Sequence, residues 1–189
     1  MKKIYLGIKS VIMWMWLKVK YRASVNMSLI NSIKGKLLID ITKGGKLSIG
    51  SFLMTSGPCY IKLGEQGKLE IGNKCFMNHN VSITCNDSIL IGDDCNIANN
   101  VVIIDHNHKM THEGILGETF ACPVKIGDKC WIGANCTITA GAEIGDGAAI
   151  AAGAVVKGRI PSHELWGDTS KIHQKYLSVL NTQLRGEIV

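Results

Sequence analysis

Residues 124–156 read VKIGDKCWIGANCTITAGAEIGDGAAIAAGAVV, and an aliphatic residue returns at every sixth place: Ile126, Ile132, Ile138, Ile144 and Ile150. Four positions after each stands a small residue, in turn Cys130, Cys136, Ala142, Ala148 and Ala154. A period of six fits neither a helix, which repeats every 3.6 residues, nor a flat strand, which repeats every 2. It fits a solenoid of short strands and turns, in which one aliphatic side chain per strand fills a narrow core and a small residue shares its layer. Three hexads make one triangular coil, which would place Ile144 one coil beyond Ile126.

The frame extends upstream. LEIGNKCFMNHNVSI (69–83) and LIGDDCNIANNVVI (90–103) carry the same I-G-[DN]-x-C start, and fainter copies appear in KLLIDI and KLSIGSF. The repeat therefore predicts an all-β solenoid over residues 34–160. Twenty-one glycines, 6% aromatic residues and abundant Ile and Val suit a core of small branched side chains with tight corners. The seven cysteines include no C-x-x-C pair, and Cys75, Cys95 and Cys130 recur at one place in the repeat. They are expected to be small core residues of a reduced chain rather than metal ligands. The net charge of +6 is spread along the sequence, which argues against a nucleic-acid arm and favours small anionic partners.

The two ends differ from the middle. Residues 1–33 begin MKKIYLGIKSVIMWMWLKVKYR, a basic and apolar helical segment in which Lys9 breaks the apolar run. It is too charged to cross a bilayer and lacks the cleavage site of a signal peptide, so it is expected to pack on the domain or a neighbouring subunit, or to lie at a membrane surface through residues 1–22. Residues 161–189 form a C-terminal extension, expected to be a short helix.

Between Ile103 and Val124 the hexads stop. The stretch from about 105 to 123 must leave the coil as a loop, because the core has no room for it, and such loops carry function disproportionately. It reads DHNHKMTHEG at its start and so holds three of the six histidines. His106 and His108 stand where the chain leaves the coil, and imidazole is a natural general base for a hydroxyl, with Asp105 or Glu113 available to orient a ring. Trp131, a large aromatic in a position comparable to Asn96 or Met77, belongs on the outside of the coil, where it could wall a cleft. Asn78 is a candidate acceptor ligand, although asparagines in neighbouring rungs make a turn role an alternative.

The repeat resembles that of the hexapeptide-repeat acyltransferases, whose fold is the left-handed parallel β-helix. DHNHKM followed by PVKIGDKCWIG is similar to the O-acetyltransferases of sugars and capsular polysaccharides. The resemblance implies a homotrimer that transfers acetyl from acetyl-CoA to a sugar or glycan hydroxyl, without a metal, and the reduced cysteines point to the cytoplasm. It implies His108 as the base, eight residues after Asn100, with His106 second. Trp131 would border the site from the neighbouring subunit, Asn78 and Asp105 would meet the acceptor, Ala134 and Ala152 would line the pantetheine groove, and Lys157 and Lys171 would face the phosphates. VVKGRIP (155–161) and GDTSK (167–171) depart from the family's usual ending, which loosens the CoA contacts. An N-acetyltransferase, a γ-carbonic-anhydrase-like zinc enzyme using His79, His106, His108 and His112, and a trimeric scaffold are the competing readings.

Overall fold

The structure, a computed structural model, describes residues 2–167. The expected short C-terminal helix lies outside the described residues. A left-handed β-helix forms the body, and the N-terminal helix α1 (Lys2–Tyr21) packs against its first coil. Three parallel sheets make the faces of a triangular prism. The first face runs from Val25–Met27 to Arg159–Ile160, the second from Ser32–Ile33 to Leu165–Trp166, and the third from Leu37–Ile41 to Val155–Val156.

Ile126 pairs with Ile144 one coil away, and Ile132 with Ile150. Each of the five hexad isoleucines is buried, as are the five small residues that follow them. The geometry explains the period. Each face is only a few residues wide, so one inward side chain per strand fills the axis and the next must turn the corner. Corner residues adopt the left-handed conformation, at Asn80, Asn100 and Asn135 between the second and third faces, each with φ near +60°. Their side chains form a ladder, Asn80 Nδ2 donating to Asn100 Oδ1 and Asn100 Nδ2 to Asn135 Oδ1, both at 3.0 Å. Between the first and second faces, Asp93, Asp128 and Asp146 instead accept the backbone N–H of the coil before.

Six of the seven cysteines are buried, and Cys75, Cys95 and Cys130 donate across one coil to the carbonyls of Gly92, Gly127 and Gly145. They are core residues, as the repeat requires.

Two boundaries and the coil length differ from the sequence reading. The solenoid begins at Val25, because Val25–Met27 pairs with Leu47–Ile49 although VNM carries no hexad signature. It continues past 160, since Leu165–Trp166 pairs with Ala149–Ile150. Upstream coils are also longer than eighteen residues: Val25 stacks on Leu47, Leu47 on Leu69 and Leu69 on Ile89. Their third-face strands hold five residues where the later ones hold three or two, which blurs the period.

Candidate active site

The interruption between Ile103 and Val124 is a β-ribbon rather than a flexible loop. His106–Thr111 pairs antiparallel with Gly114–Ala121, and the ribbon replaces the corner that joins the third face to the first. Its side chains are almost all exposed, so it stands away from the coil.

Asp105 sits at the root of this ribbon and is fully buried. Its carboxylate accepts the N–H of Asn86 at 2.8 Å and of Asp87 at 2.7 Å, the corner of the preceding coil. Its carbonyl accepts the N–H of Cys122 at 2.7 Å, which closes the ribbon's base. Burial, and after it the charge of Asp105, push the Cys85 thiol up to about 12. Asp105 is thus an anchor beneath the surface that also meets the Cys85 thiol, and it contacts His106, whose Nδ1 lies 3.1 Å from Oδ1. The ring of His106 is 19% exposed. His108 follows two residues later on the same strand, so both imidazoles leave the same side of the ribbon. Its side chain is exposed and makes no hydrogen bond among the described residues.

Trp131 stands elsewhere. It lies on the second face, opposite the corner from which the ribbon rises, and is 49% exposed. Its column in that face is Phe76, Asn96, Trp131 and Ala149, so the comparable upstream residue is Phe76 and not Met77, which points inward. Trp131, Asn78 and Phe76 line one cavity of about 250 Å³. Asn78 itself neighbours Ser56 and Ala98 across the coils, not asparagines, and the corner-forming asparagines are the ladder at 80, 100 and 135. The Oδ1 of Asn78 is 2.7 Å from Nδ1 of His79, which fixes its amide toward that ring. A single chain therefore brings together Asn78 and Trp131, and separately Asp105, His106 and His108, but not the two groups.

Ala134 and Ala152 occupy the same corner of consecutive coils, and the carbonyl of Ala134 accepts the N–H of Gly153. Lys157 is exposed on a different corner, next to Gly158 at φ +74°. Lys171 lies outside the described residues. A shallow groove on the first face, lined by Lys125, Glu143 and Arg159, adds two cations that the sequence reading missed. The pairing of Lys125 with Glu143 and of Glu143 with Arg159 brings them together, and only the coil register reveals it. Among the described residues no group of three or more His, Cys, Asp or Glu side chains could hold a metal. His79 sits on the corner between the second and third faces, away from the ribbon histidines, so one chain does not assemble the ligand set of the zinc reading.

Residues 68–104 match the hexapeptide repeat of succinyl-transferase, and residues 123–158 match the bacterial transferase hexapeptide (six repeats). A solved hexapeptide-repeat-containing acetyltransferase from Vibrio cholerae, 28% identical, covers 65% of this chain and 69% of its own length with a TM-score of 0.58. The fold is that of the hexapeptide-repeat acetyltransferases. A variant of the N-acyltransferase AntD from Bacillus cereus, in complex with dTDP-4-amino-4,6-dideoxyglucose and coenzyme A, shares this hexapeptide-repeat fold with a TM-score of 0.67 over 93% of this chain and 97% of that one, at 18% identity. In sequence, 87 residues covering 46% of this chain are 33% identical to the galactoside O-acetyltransferase of Escherichia coli (strain K12). The match spans 42% of that relative's length.

Proposed function

We propose that the protein is an acetyl-CoA-dependent O-acetyltransferase that acts in the cytoplasm, as a homotrimer, on a hydroxyl of a sugar or surface-polysaccharide precursor. The observation that carries the reading is the opposed placement of the ribbon histidines and Trp131 on a hexapeptide-repeat coil. Each chain holds two incomplete half-sites, and a ring of copies would set the ribbon of one against the second face of the next.

His108 is the base in this reading. It accepts the proton of the acceptor hydroxyl as that oxygen attacks the thioester carbonyl, and the tetrahedral oxyanion forms against backbone N–H donors. Collapse breaks the carbon–sulfur bond, the acetyl stays on the acceptor oxygen, and the proton passes from the imidazolium to the CoA thiolate. Trp131 and Asn78 line the acceptor side. Ala134 and Ala152 leave room for the pantetheine arm, and Lys157, Arg159 and Lys125, on the other side of the prism, offer charge to the phosphates of a CoA seated against the next copy. The chemistry requires no metal.

One observation favours a second assignment within the same reaction. His106, not His108, is held by a buried carboxylate, the usual way an imidazole base is oriented. Thiol release from acetyl-CoA, measured with a panel of sugars, amino sugars and nucleotide sugars, tests both. His108→Ala is expected to lower acceptor-dependent turnover by about 10²–10⁴-fold, with His106→Ala milder. The reverse order moves the base to His106. Wild-type protein that releases no thiol with any acceptor sinks the acetyltransferase reading.

A further inference from the structure

Helix α1 is apolar on two opposite sides. One side is accounted for: Leu17 is buried in the core, Met13, Trp14 and Tyr21 pack against it, and the helix seals the first coil. Carbonyls that would otherwise face a preceding coil find donors on the helix. Trp14 Nε1 donates to Met27, Lys18 Nζ to Val25, Lys9 Nζ to Lys34 and Gly35, and Tyr21 Oη to Ile39, each at 2.8 Å. These five contacts hold the helix in one rotation about its axis.

That rotation turns the other side outward. Tyr5, Ile8, Ile12, Met15, Trp16 and Val19 are all exposed, Val19 the most at 78%. At 100° per residue they fall on one stripe, opposite Ser10, Leu17 and Trp14. A helix that merely caps a solenoid needs a polar outer face. This one is apolar there, which marks an interaction surface.

Charge and composition identify the partner. Residues 1–22 contain six basic residues and no acidic one; Lys9 and Lys18 are taken up by carbonyls of the coil, whereas Lys20 and Arg22 are exposed. At the C-terminal end of the stripe, Lys20 Nζ lies 4.9 Å from the Trp16 ring centroid and 4.6 Å from that of Tyr21, a grouping of aromatic and basic side chains suited to a lipid headgroup region. Among the described residues no helix is long and apolar enough to cross a membrane. We infer that the outward face of α1 docks the protein flat on an anionic lipid membrane, with the stripe in the acyl boundary and Lys20 and Arg22 at the headgroups. The inference does not depend on the acyl-transfer reading, and its test reads no activity.

The experiment is flotation of the full chain with vesicles of phosphatidylcholine alone and of phosphatidylcholine with phosphatidylglycerol. Wild-type protein should float with the anionic vesicles only, and added salt should reduce the bound fraction. The double variant Ile8→Gln/Ile12→Gln should bind about tenfold or more weakly, given the apolar area withdrawn from the boundary. Because both residues are exposed, its melting temperature and its mass by light scattering should match those of wild type. Wild-type protein that stays with the soluble fraction overturns the inference, as does a variant that floats equally well. A variant of altered oligomeric mass also overturns it, by showing that the stripe joins copies of the chain.

Discussion

Asn100 shows how closely the fold constrains single residues. Its φ of +59° costs an ordinary L-residue about 1–2 kcal/mol, and asparagine offsets this by joining the ladder with Asn80 and Asn135. Asn100→Ala loses both the ladder and the conformational tolerance, whereas Asn100→Gly loses only the ladder. The alanine variant should be destabilised by about 2 kcal/mol and the glycine variant by about 1, since exposed neutral hydrogen bonds contribute modestly. Denaturant midpoints check the order. An alanine variant as stable as the glycine one would show that backbone conformation does not limit this corner. At Asp105 the sequence showed a carboxylate next to a histidine, but its role as an anchor was hidden. The amides it accepts belong to Asn86 and Asp87, near in space only because consecutive coils stack.

At the scale of the element, the ribbon and the coil are separable. The rungs on either side close without it, Ile103 on Ile138 and Ile91 on Ile126, and Asp105 and Cys122 already meet through a backbone hydrogen bond. Replacing residues 106–121 by a two-residue Asn-Gly turn should therefore leave the melting temperature within a few degrees, because almost no buried surface is removed. Turnover should fall by about 10²–10⁴-fold, the usual contribution of a general base. A loss of cooperative unfolding would mean that the ribbon belongs to the folding unit. Sequence periodicity revealed the coil from 124 to 156 because each narrow face admits one inward residue, so every sixth position is forced. It located the ribbon as a gap but not as strands, since HNHKMT and GILGETFA bury no face that could impose alternation. The first two strands of the first coil escaped notice for a similar reason: VNM and SI lean on α1 and lack the I-G corner.

At the scale of the whole molecule, the question is why His108 and Trp131 stand on opposed parts of the prism. If they serve one reaction, the site is divided between copies, and the division has a quantitative signature. Take His108→Ala and Trp131→Ala, each expected to be inactive, then mix equal amounts, unfold and refold. In a ring, a competent site needs an intact His108 from one chain and an intact Trp131 from the next, so random assembly restores about a quarter of wild-type activity. Each variant refolded alone stays inactive. Were both residues to act within one chain, every chain in the mixture would carry a defect and no activity would return. The recovered fraction thus decides between a shared site and a self-contained one, and it does so whatever the acceptor, because the readout is normalised to wild-type protein refolded in the same way.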